Sequence, residues 1–208
     1  MKSPLGSKKH YEEALTHFKS KDKKLAAIVE EIGYKKLHFE VDYFESLVSA
    51  IIGQQVSVAA AASIQKKLTQ GIGGQIIPSA FVGLTKEDLR VFGVSGQKAR
   101  YLLDLVEHFV GNPEKYEHLD EKSDEEIEKM LVEVKGIGPW TAQMFLMFTM
   151  GRPDVFAPDD LGLKYAMAQL YGWKSIPEKK KLLAVAQKWS PYKTLASRYL
   201  WMSRKTNL

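Results

Sequence analysis

Apolar positions recur along this chain at three- and four-residue intervals, and no stretch keeps up a strict residue-by-residue alternation. That periodicity predicts helices and no sheet. Leu25, Ala26, Ile28, Val29 and Ile32 place one apolar stripe on a helix over 22–32, ended by Gly33, and a shorter helix precedes it over 11–19. Helical spacing over 43–52 is interrupted at Gly53. Ser57 suits the N-cap of the next helix; its alanines 59–62 allow close packing against a neighbour, and it runs out in Gln70-Gly71-Ile72-Gly73-Gly74. Thr85 caps a short helix to Phe92, and Ser95 caps one from Gly96 to Val110. Ser123 with Glu126 forms a capping box for the helix that follows. Further helices are expected over 139–150, 161–171, 177–188 and 191–204, about ten in all. The patch Leu37-His38-Phe39-Glu40-Val41 alternates but is too short for a strand, and residues 1–10 are expected to fray. The fold class is all-α.

Length and composition narrow the function without naming it. The 208 residues suffice for one large domain or two small lobes with a real core, and 45% hydrophobic content makes the chain globular. A net charge of +5 favours a polyanionic partner without requiring one. There is no cysteine, which excludes disulfides, thiolate zinc sites, cysteine nucleophiles and iron–sulfur clusters. His10, His17, His38, His108 and His118 lack metal-ligand spacing, so no metal held by side chains is expected. No apolar run is long enough for a membrane span and the N-terminus is no signal peptide. The expected location is intracellular, either cytoplasm (nucleoid) or nucleus.

The densest chemistry lies between Leu131 and Leu163. Gly136-Ile137-Gly138 joins two helices, with Pro139 at the first position of the second, where its missing N–H costs nothing. Glycines let the backbone take φ > 0 and approach a partner closely, and unsatisfied N–H groups at the following helix start suit a phosphate. Lys135 adds a positive charge, while the plainer reading is a tight turn with a glycine C-cap. One helix and a return loop later come two adjacent carboxylates, Asp159 and Asp160. A carboxylate at a helix start is favoured in its ionised form. It can stabilise an oxocarbenium-like sugar or deprotonate a water. One of the two is expected to be spent as the N-cap; the plainest reading makes both of them caps.

Three segments carry a family resemblance: Lys135-Gly136-Ile137-Gly138-Pro139-Trp140-Thr141-Ala142, Val155-Phe156-Ala157-Pro158-Asp159-Asp160-Leu161-Gly162, and Ser49-Ala50-Ile51-Ile52-Gly53-Gln54-Gln55-Val56-Ser57. Over 44–201 the chain resembles the helix-hairpin-helix DNA glycosylases, most nearly their alkylpurine (3-methyladenine) branch. The resemblance implies two helical lobes, 43–152 and a discontinuous 1–42 plus 153–208, with the active site in the cleft between them. It implies a monofunctional glycosylase that flips alkylated purines out of duplex DNA and hydrolyses them away in base excision repair. Asp160 matches the catalytic aspartate, leaving Asp159 as cap or support. Trp140 and Trp201 match pocket aromatics; Met144 stands where some members have tyrosine.

In the same way Gln55 matches the wedge that fills the place of the flipped base, with Gln54 as support. Ser57, Lys135, Gly136, Ile137 and Gly138 fall at DNA contacts. Lyase members carry a lysine at the position of Trp140, so no lyase activity is expected. No cofactor is implied, although hairpin carbonyls around 134–137 can hold a monovalent cation in this family. A monomer is expected, as is the absence of the extra N-terminal domain of some larger bacterial members. Lys179-Lys180-Lys181 reads as a solvated face and Trp189 as core packing. A non-catalytic helix-hairpin-helix DNA-binding module is the alternative; a glycosylase with lyase activity stands third.

Overall fold

Side chains that accept from the N–H three residues on start most of the helices. The computed structural model describes residues 5–37, 39 and 42–205, and among them every regular element is helical. In order these are α1 (Lys8–Lys21), α2 (Lys23–Ile32), α3 (Tyr43–Gly53), α4 (Val58–Gly71), α5 (Lys86–Val91) and α6 (Gly96–Gly111). Then come α7 (Pro113–Glu117), α8 (Asp124–Val132), α9 (Pro139–Phe148), α10 (Leu161–Tyr171), α11 (Lys179–Ala186) and α12 (Lys193–Lys205). Short 3-10 segments lie at Pro78–Phe81, Leu119–Glu121 and Gln187–Trp189. Ser7, Asp22, Asp42, Ser57, Thr85, Ser95, Ser123 and Asp160 each cap a helix in this way.

Several expectations are corrected. Residues 5–10 are built into structure, because the Ser7 cap starts α1 at Lys8 and His10 is buried. The short α7 was not anticipated; Pro113 opens it. Helix α9 stops at Phe148, short of Met150, and the Arg152 N–H turns back to the Leu146 carbonyl. Of the alanines of α4, Ala59, Ala60 and Ala62 are exposed and Ala61 is half-buried, and Leu68 is the residue that α4 buries. Of the 37–41 patch, His38, Glu40 and Val41 lie outside the described residues.

The chain divides into two compact units, Met1–Phe39 with Leu146–Leu208, and Glu40–Phe145. The division falls within α9, ahead of the expected 152.

In the first unit α2, α10 and α12 pack pairwise. Leu25, Val29, Leu163, Met167 and Leu200 are fully buried there, each burial contributing about 1.5–3 kcal/mol. Asp22 is a buried polar hub: it caps α2 and accepts from the Trp189 indole at 2.9 Å and from the Tyr171 hydroxyl. Trp189 is itself completely buried, as a core residue.

In the second unit α3 is central. Leu47, Val48, Ile51 and Ile52 are fully buried, as are Leu102 and Leu105 of α6. Phe44 meets Phe81 and Phe109 edge-on, and Phe109 stacks on Tyr116. Burial, with the charges of Glu133 and Asp104, pushes the Tyr116 hydroxyl up to about 12.

Candidate active site

The hairpin between α8 and α9 is held from three sides within its own unit. Gly136 adopts φ 85, and a Cβ there would fall 2.2 Å from the Tyr101 ring, so both conformation and packing require glycine. Gly138 has no positive φ, which corrects the expectation that both glycines use it; a Cβ there would meet nothing. Ile137 is buried, and its N–H closes the turn on the Val134 carbonyl.

Lys135 is anchored twice on Asp104: its N–H donates to Oδ2 at 2.8 Å and its ammonium to Oδ1 at 2.5 Å. Burial works against the Asp104 carboxylate, but these hydrogen bonds and the nearby charges of Lys135 and His108 hold its pKa below the usual carboxylate value. The positive charge at the hairpin is therefore partly answered within the protein.

The loop after α3 leans on the hairpin. Gln54 caps the C-terminus of α3, and its side-chain amide donates to the Gly136 carbonyl at 2.8 Å. Gln55 is exposed and left-handed at φ 54, the one such non-glycine among the described residues. That backbone costs a bulky residue about 1 kcal/mol or more and is held by its surroundings. Ser57 then caps α4 through the Ala60 N–H. Lys98, near the start of α6, donates to the Ile52 carbonyl at 2.7 Å, and burial pushes its pKa down. Of the carbonyls around 134–137, those of Val134 and Gly136 already accept protein donors. A cation would have to share Gly136 with the Gln54 amide.

Beside the hairpin opens a cavity of about 810 Å³, lined among others by Gln54, Gln55, Lys98, Tyr101, Trp140 and Met144. Trp140 is 46% exposed and lines this space. Thus residues from two of the three segments, 49–57 and 135–142, line one cavity.

The carboxylate pair belongs to the other unit. The loop leading to it is pinned on the start of α12. Thr194 Oγ1 donates to the Arg152 carbonyl at 2.6 Å and accepts from the Val155 N–H at 3.1 Å. Asp154 accepts from Ser190 Oγ and from Lys193. The loop closes with the Asp160 N–H on the Ala157 carbonyl.

Here the cap is not the aspartate expected. Asp160 is the cap, its Oδ1 accepting from the Leu163 N–H at 2.7 Å. Asp159 is exposed and paired with Lys179 at 2.7 Å and Lys164 at 3.7 Å. Its hydrogen bond from Lys179 lowers its pKa, helped by both lysine charges against some desolvation. The lysine-rich start of α11 thus supplies a partner for Asp159 as well as a solvated face. Trp201, from α12, donates its indole N–H to the same Asp160 Oδ1 at 2.9 Å, and its ring lies 5.6 Å from that of Phe148.

A second cavity, of about 600 Å³, is lined by Phe148, Arg198, Trp201, Met202 and Arg204. The Arg198 guanidinium lies 5.0 Å over the Phe148 ring with Nη1 buried and unpartnered. Burial lowers its pKa.

The profile of the "HhH-GPD superfamily base excision DNA repair protein" matches residues 48–191. The chain belongs to the HhH-GPD superfamily. It is 31% identical over 202 residues to the alkylbase DNA glycosidase-like protein mag2 of Schizosaccharomyces pombe, covering 94% of either chain. Its fold is similar to the crystal structure of a DNA-3-methyladenine glycosidase from Bacillus halodurans, with a TM-score of 0.86 and 32% identity, covering 99% of this chain and 93% of that one. It is also similar to the S. pombe 3-methyladenine DNA glycosylase Mag1 in complex with abasic DNA, with TM-score 0.79, 28% identity and coverage of 93% and 97%.

Within this HhH-GPD chain, sequence reading missed Lys98, Tyr101 and Asp104, which brace the loop and the hairpin, and Phe148, Arg198 and Gly162 in the other unit. The run Ser95-Gly96-Gln97-Lys98, a cap followed by a basic residue, was the available signal for Lys98. Nothing local pointed to the rest. Among the described residues no helix is long and apolar enough to cross a membrane.

Proposed function

We propose that the protein is a monofunctional DNA N-glycosylase that removes alkylated purines of the 3-methyladenine and 7-methylguanine type from duplex DNA, leaving an abasic site. The observation that carries this reading is the Asp160 carboxylate, fixed at the start of α10 by a backbone N–H and an indole N–H. Asp22 caps α2 and accepts an indole N–H in the same way but is buried as part of the core, whereas Asp160 is only half-buried, which keeps its carboxylate accessible. The names of similar proteins, two of them 3-methyladenine glycosylases or glycosidases, support the substrate class.

In this reading the hairpin and the start of α9 grip backbone phosphate, and Gln55 fills the gap left by the flipped nucleotide. Trp140 offers a ring face in its cavity, and ring faces attract cations. Alkylation at N3 or N7 makes the base cationic, so it leaves as a neutral molecule with the C1′–N electron pair. The sugar becomes oxocarbenium-like, Asp160 stabilises that charge, and a water oxygen bonds to C1′ as its proton passes to the carboxylate or to bulk water. Met144 makes one side of the cavity less aromatic than a tyrosine would. Trp140 supplies no amine for a Schiff base, so the backbone is left uncut.

Base release from methylated duplex DNA by wild type and Asp160→Asn tests the reading. Release by wild type, with a loss of about 100-fold or more in the variant, is the expected result. Equal release would remove Asp160 from the reaction. DNA binding without release from a panel of lesions would favour the binding module, and borohydride trapping of an enzyme–DNA adduct would revive lyase activity.

A further inference from the structure

Trp201 entered as an aromatic wall for the base. We infer that its indole N–H is instead a positioning device for the Asp160 carboxylate, and that Gly162 exists to let it reach. This inference rests on the reading of Asp160 as the catalytic group.

The geometry is specific. The indole nitrogen lies 2.9 Å from Asp160 Oδ1, the oxygen that also caps α10 through the Leu163 N–H at 2.7 Å. Two donors from different helices converge on one oxygen and hold it in place more narrowly than the cap bond alone would. A hydrogen bond to an ionised acceptor is short and strong, and an indole is a donor that cannot itself take the proton. Trp201 is held in turn, with Phe148 against its ring.

Gly162 is the second, independent observation. It is the second residue of α10, where helix propensity alone would favour alanine. A Cβ there would sit 3.0 Å from Asp160 Oδ1 and 3.1 Å from both Cδ1 and Nε1 of Trp201. Its φ is not in the left-handed region, so backbone conformation does not explain the glycine. What does is the approach of indole to carboxylate.

The experiment separates a wall from a positioning donor. Trp201→Phe keeps a ring face but removes the N–H. Its single-turnover rate of base release should fall by about 10- to 100-fold, the penalty of a misplaced reacting group, with affinity for abasic-site duplex unchanged. Gly162→Ala should lower the rate similarly while thermal stability holds or rises, which loss of fold would not produce. The double variant should be no slower than the worse single one. A Trp201→Phe rate equal to wild type, while Asp160→Asn is inactive, overturns the inference and leaves the glycosylase reading standing.

A second measurement needs no activity. The indole N–H resonance of Trp201, assigned by its absence in Trp201→Phe, should move upfield in Asp160→Ser, which keeps a cap oxygen for α10 but withdraws it from the indole. An unmoved resonance overturns the inference whether or not the protein releases bases. Wild-type release equalled by Asp160→Asn, with the resonance shifting, overturns the reading of Asp160 and the positioning role with it, leaving only the hydrogen bond.

Discussion

The side-chain amide of Gln54 donates to the carbonyl of Gly136 at 2.8 Å and so ties the loop after α3 to the hairpin before α9. Replacing Gln54 with Ala strands that carbonyl and frees the loop. Urea unfolding should show a loss of about 1 kcal/mol, and fluorescence anisotropy should show weaker binding to abasic duplex. A variant that loses stability but binds DNA as wild type does would mean that loop and hairpin act separately.

Gln55 holds its left-handed backbone at the tip of that loop. Gln55→Gly should stabilise the fold by about 1 kcal/mol, since glycine adopts this conformation without strain. The same change removes the side chain proposed to fill the duplex. Base release should drop for a lesion in intact duplex and drop less for one opposite a mismatch, where extrusion is easier. An equal drop on both substrates would argue against a wedge.

Asp104 links the hairpin to α6 through Lys135. Its pKa is depressed in the folded protein below the ordinary 3.8, so it contributes stability that is fully present above that value and lost as pH falls through the lower folded one. Asp104→Asn should therefore be less stable than wild type at neutral pH, with the gap narrowing below about pH 4. Urea midpoints across pH 3 to 7 would check it. Releasing the Lys135 ammonium from its carboxylate partner should also raise the salt sensitivity of DNA binding, since a free charge can neutralise a further phosphate.

Arg198 buries Nη1 without a partner and keeps its charge at a cost. Arg198→Met retains packing on Phe148 and removes the stranded donor. Stability should be unchanged or higher by about 1 kcal/mol, read by thermal unfolding. A clear loss would mean that the stacked guanidinium holds Phe148 in place.

What could be read from the sequence was mostly local. Ser57, Thr85, Ser95 and Ser123 start helices because a cap and its N–H partner lie three residues apart, and that signal is in the text of the chain. The choice between Asp159 and Asp160 was not local. Lys179, twenty residues on, draws Asp159 outward, while Trp201, 41 residues on, meets Asp160. The Lys135 charge was visible, but its partner Asp104 lies 31 residues earlier, on the flank of α6. Ala59, Ala60 and Ala62 of α4 show the converse: small residues permit close packing, yet these three stay exposed.

Helix α12 touches the Asp160 loop at both ends. Its first turn, through Lys193 and Thr194, receives Asp154, Val155 and the Arg152 carbonyl, and its third turn sends Trp201 to the carboxylate. The Asp160 carboxylate is therefore surveyed from a single straightedge. The stretch 173–178, between α10 and α11, has no part in that measurement, so insertions there should leave the Asp160 carboxylate in register. Shortening the loop over 152–159 by one residue should not, because both of its ends are fastened to the same bar.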